Sequence, residues 1–468
     1  MIAAPRVRRE CSSAFFSEVL FVAEPGGSVN VFDRFVVGLT VMGALIAVTA
    51  LVGVLRRPGA AASGSAETTL ANIELSDFAI TGNLAVPEGP LTLQVTNRGA
   101  TFHNLGVGEQ RTQDLASGSS ERLELGVLEA GTYEIFCSIP GHREAGMVAD
   151  LVVGGAGAAG AEGDEEIDYA AMSRAMNDSI ALFPAATEGR GNQPLEPEIL
   201  DDGTKRFDIV TSIIPWEVAP GTFVDAWTYN GQVPGPVIKV EVGDKVQVVI
   251  DNQLPMGTDV HFHGVSLPNN MDGVAPVTQP LIEPGQTFTY EFVAEKPAIA
   301  MYHAHHHAQM QVPNGLFGTI FIGDVALPEG LIVSGVEIPD DLTIAAEIPM
   351  VLNDAGVIGF SLNGKSFPAT DPYVQKVGDW VLIHYFNEGL QIHPMHPHQF
   401  PQLVFAKDGI PLDSPYWADT LNVAPGERYS VLMHLDREGV WVWHCHILNH
   451  VEREKGMFGM VTAFVVQP

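Results

Sequence analysis

Thr132-Tyr133-Glu134-Ile135-Phe136-Cys137-Ser138-Ile139-Pro140-Gly141-His142, with Met147 following, decides how the first folded block of this chain is built. Up to Cys137 the segment alternates, so successive side chains fall on opposite faces of a strand. After Cys137 a tight loop can deliver Cys137, His142 and Met147 from one end of a sandwich. A second histidine, His103, arrives upstream from a neighbouring strand-like segment. Two imidazoles, a thiolate and a weak axial thioether make the ligand set of a blue-copper electron-transfer site.

Outward from this stretch, residues 66–154 hold other short alternating segments, such as Leu91-Thr92-Leu93-Gln94-Val95, separated by turn residues. That pattern predicts a β-sandwich. Residues 155–204 are rich at first in Gly, Ala and acid, which reads as a linker. Apolar residues at helical spacing over 169–183 predict a short helix within it. Two further β-rich blocks follow, 205–325 and 326–468, with Pro-Gly turns at Pro220-Gly221, Pro284-Gly285 and Pro425-Gly426. The expectation is an all-β protein of three Greek-key sandwiches.

Ahead of these lie an N-terminal segment, 1–34, and an uncharged apolar run, 35–55. The run is long enough to cross a bilayer as a helix, which needs about 20 residues. It exceeds the core of a signal peptide, so an uncleaved anchor is expected; cleavage within Gly59-Ala60-Ala61-Ala62-Ser63 is the alternative. Arg6, Arg8 and Arg9 compete with Arg56 and Arg57, so flanking charge leaves the orientation open. The metal chemistry suits an extracytoplasmic location, at the cell surface or in a periplasm.

The net charge is −32 over 468 residues. This argues against nucleic acid as a partner and favours cationic ones, such as a basic electron carrier. Three cysteines, Cys11, Cys137 and Cys445, cannot build a disulfide framework. Cys11 lies upstream of the apolar run and has no assigned role.

The C-terminal blocks carry four histidine motifs: His261-Phe262-His263-Gly264, His303-Ala304-His305, His393-Pro394-Met395-His396-Pro397-His398, and His444-Cys445-His446 with His450. Alternation lets His261 converge with His263, and His303 with His305. It sends His444 and His446 to one face and Cys445 to the other. Cys445 can then bind one metal while its neighbours hold others, and three consecutive residues form a covalent path for electrons. One His-x-His pair alone is an ordinary surface feature; four such motifs with a flanked cysteine are a metal centre.

Residues 66–154 resemble the plastocyanin-like cupredoxins. Residues 205–468 resemble the multicopper oxidases, with all four motifs in order, together with Met271-Asp272-Gly273, Thr278-Gln279-Pro280 and the stretch 311–318. The resemblance implies type 2 copper on His261 and His396. It implies a type 3 pair on His263, His303, His305, His398, His444 and His446, and type 1 copper on His393, Cys445 and His450. Asp272 matches an acidic residue used for proton delivery. The family's axial Met position is Lys455 here, so Met457 is the expected ligand across a loop extension, with Met460 the alternative. Val451 stands where oxidases often have Glu, with Glu452 next to it. His306, His307, His384 and His434 are left over; for His306 and His307 a solvated role is expected, with extra liganding or proton transfer as the alternative.

Because the two halves of the cluster sit on consecutive sandwiches, the chain resembles two-domain oxidases that form head-to-tail homotrimers. The implied activity is laccase-like: a small-molecule or protein electron donor is oxidised one electron at a time and dioxygen is reduced to water. A copper nitrite reductase with a fused cupredoxin is the alternative, against which the paired histidines argue. A non-catalytic electron carrier would not need the eight further histidines. A specialised cuprous oxidase finds no dense Met-rich segment, since Met301, Met310 and Met395 are scattered.

Overall fold

Strand formation follows the alternation directly. In Gly89–Asn97, Leu91, Leu93 and Val95 are buried while the residues between them reach the surface. Lys245–Asn252 repeats this with Val246, Val248 and Ile250. Each buried aliphatic side chain contributes about 1.5–3 kcal/mol relative to exposure. The computed structural model describes residues 68–76, 79–99, 102–116, 118–139, 142–143, 147–154, 168–453 and 455–468. The apolar run 35–55 and the linker stretch 155–167 lie outside the described residues. Among the described residues no helix is long and apolar enough to cross a membrane.

Three two-layer β-sandwiches follow one another. The first pairs a four-stranded sheet containing Thr69–Ser76 and Gly89–Asn97 with a five-stranded sheet containing Gly131–Phe136 and Val148–Val153. The second pairs a sheet built on Lys205–Ala219, Lys245–Asn252 and Thr287–Val293 with one containing His261–His263, Ala298–His303 and Phe317–Ile322. The third pairs a six-stranded sheet centred on Trp380–Asn387 and Arg428–His434 with a sheet containing His393–Pro397, Gly439–Cys445 and Val461–Gln467. Each encloses its own apolar core.

The residues between the histidines anchor the metal-bearing strands. Phe262, between His261 and His263, is buried against Tyr290, Phe292 and Tyr302. Trp443, beside His444, is buried and stacks on Phe464 at 5.1 Å. Edge and offset aromatic contacts of this kind add about 0.5–1.5 kcal/mol beyond burial. The polar rings are thereby held on the outer face.

The helix spans Tyr169–Ala181, with Asp168 capping it by accepting from the Ala171 N–H at 2.8 Å. It packs on a small hairpin, Glu452–Arg453 with Gly456–Met457, that follows the third sandwich's cysteine. The Met457 N–H donates to Ser179 Oγ at 2.9 Å. Gly456 has φ +111°, and a Cβ there would lie 2.5 Å from the Ala175 carbonyl oxygen, so only glycine fits this close approach.

Candidate metal centres

The first centre lies at one end of the N-terminal sandwich. Cys137 Sγ is 3.5 Å from His142 Nδ1, and His142 Nδ1 is 3.1 Å from His103 Nδ1. These donor atoms lie within 4.8 Å of one another. Met147 is buried beside them, and two backbone bonds lock its position. The Cys137 N–H donates to the Met147 carbonyl at 3.0 Å, and the Met147 N–H to the His142 carbonyl at 2.9 Å. Burial alone would raise the Cys137 thiol, but hydrogen bonds from His103 and His142 outweigh it and bring it down to about 6. A thiolate is therefore available near neutral pH.

The second centre repeats this in the third sandwich. Cys445 Sγ is 3.5 Å from His450 Nδ1 and 3.8 Å from His393 Nδ1, again a cluster within 4.8 Å. It is more deeply enclosed: His393 and His450 are 0 % and 1 % exposed. Burial pushes the Cys445 thiol up to about 12 and holds His393 down at about 3. Such a thiol keeps its proton until a metal displaces it. His393 Nε2 and Asp354 Oδ2, both buried without a hydrogen-bond partner, face each other at 3.6 Å. With Nδ1 committed to a metal, the ring proton sits on Nε2 toward this carboxylate, the arrangement that orients metal-bound histidines. Burial raises the Asp354 carboxyl to about 6.

The same two backbone bonds recur here, but with Met460. The Cys445 N–H donates to the Met460 carbonyl at 3.1 Å, and the Met460 N–H to the His450 carbonyl at 3.1 Å. Met460 is fully buried, whereas Met457 is only partly so and sits on the hairpin. The sequence reading, counting from the cysteine, favoured Met457; the register places Met460 where Met147 stands in the first centre. The extra residues are taken up by the hairpin.

The remaining eight histidines form two sets. His261 and His303 are directly opposite across paired strands, as are His396 and His444. The rings of His261, His263, His303 and His305 lie 5.5–5.9 Å apart in their contacts. Those of His396, His398, His444 and His446 lie 5.0–5.7 Å apart. Among the described residues, ring contacts join histidines within each set and none joins the two sets. Burial is the largest influence on both His263 and His398; beyond it, His263 feels Arg428 of the third sandwich together with His303 and His261, and His398 feels His396, His446 and Asp419, so neither feels an imidazole of the other set. Sequence adjacency of the two blocks therefore does not bring the halves together inside one chain.

Tautomers follow from the acceptors. Carbonyl oxygens only accept, so Nδ1 carries the proton in His261, which bonds the Asp272 carbonyl at 2.7 Å. The same holds for His303 on Ala304 at 3.0 Å, His444 on Cys445 at 2.9 Å and His396 on Asp419 at 3.1 Å. Each leaves an Nε2 lone pair free for a metal. His398 Nε2 and His444 Nε2 converge at 3.2 Å. Burial holds His263 at about 3 and His303 at about 4, keeping both neutral. The donor chemistry thus fits copper at all these positions: Nδ1 and thiolate at the two enclosed centres, Nε2 at the open half-sites.

Asp272 acts on His261 mainly through its backbone; its carboxylate is 3.6 Å away and partly exposed. Sequence reasoning missed Asp259, which is fully buried and accepts from the N–H groups of His305 and His306, both at 2.7 Å, and of Ala275 at 2.9 Å. Its position two before His261 was the available signal. Asp354 and Phe360, which stacks on His450 at 4.3 Å, had none. Of the unassigned histidines, His384 is buried and bonded to Ser430 Oγ at 2.8 Å and Glu347 Oε1 at 3.2 Å. His434 is exposed and stacks on Trp380, and the His306 and His307 rings touch at 4.4 Å.

Residues 212–326 and 338–468 each match the family description Multicopper oxidase, and residues 68–160 match the Sulfocyanin (SoxE) domain. Multicopper oxidase MmcO of Mycobacterium tuberculosis is 38% identical over 123 residues, 26% of this chain and 24% of that protein. Laccase-2 of Botryotinia fuckeliana is 30% identical over 279 residues, 52% of this chain and 46% of that protein. The solved structure of Multicopper Oxidase mgLAC superimposes with a TM-score of 0.51 at 35% identity, covering 56% of this chain and 86% of that one. The chain spans about a quarter to a half of the length of these curated relatives. With the ligand geometry above, these matches place the chain in the multicopper oxidase family, with a cupredoxin domain fused ahead of the oxidase sandwiches.

Proposed function

We propose that the protein couples one-electron oxidation of a donor to four-electron reduction of dioxygen to water, at a trinuclear copper cluster completed between neighbouring subunits of a homotrimer. The observation that carries this reading is the separation of the two four-histidine sets on different sandwiches of one chain. Each set is preorganised, has two of its four tautomers fixed by backbone carbonyls, and is incomplete. A head-to-tail ring joins one chain's first set to a neighbour's second. His261 and His396 would hold the type 2 ion, and His263, His303, His305, His398, His444 and His446 would hold the type 3 pair. Copper supplies one-electron redox chemistry and dioxygen binding there.

The chain's own residues do the rest. Cys445 lies between His444 and His446, so the type 1 ligand and two cluster ligands share a continuous backbone. The backbone register supports Met460, rather than Met457, as the thioether that would complete the type 1 ligand set. Asp272, solvent-reaching and beside His261, is placed to pass protons toward the cluster. Residues 35–55 tether the protein to a membrane, with the copper domains outside the cytoplasm. Eight histidines in two complementary sets exceed what a single-copper nitrite reductase site needs.

The test is subunit complementation. His263→Ala and His398→Ala chains, each inactive alone, are co-expressed in equal amounts. An interface cluster is intact only when a chain with a good first set meets a neighbour with a good second set, so about a quarter of wild-type oxygen uptake returns. Clusters formed within one chain would recover none, and that result would refute the assembly.

A further inference from the structure

In the core type 1 set neither imidazole is open to a donor. His393 and His450 are essentially inaccessible, the His450 ring lies under Phe360, and His393 Nε2 faces Asp354. The N-terminal set differs, because His142 is only half-buried. It lines a cleft of about 870 Å³ whose opposite wall includes Asp354, Leu390 and Gln391. Phe102 and Leu390, 58 % and 50 % exposed, present apolar surface there. Behind that wall the path is short. The Leu390 N–H donates to Asp354 Oδ1 at 2.7 Å, and Asp354 Oδ2 stands 3.6 Å from His393 Nε2. One layer of residues thus separates the cleft from the enclosed centre.

We propose that this cleft is the electron port of the oxidase core, so that electrons reach the Cys445 centre from the N-terminal centre and not directly from an external donor. The proposal rests on the copper reading above. One electron leaves Cu(I) held by His103, Cys137 and His142, giving Cu(II), and converts Cu(II) held by His393, Cys445 and His450 to Cu(I). No proton or other reactant takes part. Phe102 and Leu390 form an apolar, partly open seam that positions the His142 edge opposite Asp354 and Gln391. The N-terminal sandwich is then the face on which the donor acts.

The full copper-loaded protein is tested anaerobically, following the thiolate-to-copper absorption of the Cys445 centre after mixing with a one-electron donor. Cys137→Ser removes the first centre, and bleaching of the second is expected to slow by about tenfold or more. Leu390→Arg leaves both ligand sets in place; the first centre is expected to be reduced at the wild-type rate while the second lags by a similar factor. A wild-type rate at the Cys445 centre in Cys137→Ser overturns the proposal. A copper-free readout accompanies it: Phe102→Cys with Leu390→Cys is expected to be bridged by a short dithiol-reactive linker. If both introduced thiols titrate, over and above those of Cys11, Cys137 and Cys445 in the parent chain, yet never bridge, the placement is overturned. Copper content and both absorption bands are recorded first. Their absence defeats the copper reading itself, whereas full bands with an unchanged rate defeat only the port.

Discussion

Replacing Asp259 by alanine strips the acceptor from three N–H groups at once, the buried one of Ala275 and the partly buried ones of His305 and His306. Hydrogen bonds to a charged group contribute about 1.5–3 kcal/mol each, and a buried donor left unsatisfied costs about 1–3 kcal/mol. Loss of the carboxylate's own burial penalty offsets part of this. Removing one partner from a buried charged network typically costs about 3–5 kcal/mol, and that is the expected destabilisation. It is a large share of the roughly 5–15 kcal/mol that holds a domain together. Asp259→Asn is milder, about 1–3 kcal/mol, because an oxygen can still face His305 and His306 while its NH2 meets the Ala275 donor. The assay is amide hydrogen exchange of the segment around His305 and His306, alongside urea unfolding and copper counting. In Asp259→Ala both amides should lose protection and the first half-site should lose copper, with the two enclosed centres still loaded. Unchanged protection together with a stability loss under about 1 kcal/mol would refute the role given to Asp259.

Two further outcomes follow from the third sandwich. Met460→Leu should raise the potential of the Cys445 centre, because losing a thioether donor disfavours Cu(II), whereas Met457→Leu should leave it near wild type; redox titration of the thiolate band decides. Glu388 is buried, and burial lifts its carboxyl to about 8 against the opposing pull of Arg428. Between its ordinary value near 4.5 and about 8 the unfolded chain has released this proton and the folded chain retains it, so stability falls as pH rises through that window. Glu388→Gln should flatten the decline by about 3–5 kcal/mol, measured as unfolding free energy against pH.

Much of the copper chemistry was legible before any fold was seen, for a physical reason. Ligands supplied by one strand or one loop obey a local periodicity, so His261 with His263, or Cys445 between His444 and His446, declare their faces from spacing alone. The alternation that buries Phe262 and Trp443 also exposes their neighbours, and the sandwich pattern of Leu91, Leu93 and Val95 is of the same kind. The helix near 169–183 was readable because its apolar spacing is local too.

What spacing could not encode was which distant segments meet. Counting from Cys445 pointed to Met457, because a count cannot know that Glu452–Arg453 pairs with Gly456–Met457 as a hairpin, whereas the backbone register around Met460 follows from the fold. Asp354 and Phe360 lie far in sequence from the histidines they cover, and only packing reveals that the core centre is closed to donors. The two four-histidine sets, by contrast, were expected to lie apart from the order of their motifs, and the structure adds that among the described residues no ring contact joins them. A sequence determines which atoms can bind metal, but the distances among segments remote in the chain arise only when the three cores have formed and fixed their loops in space.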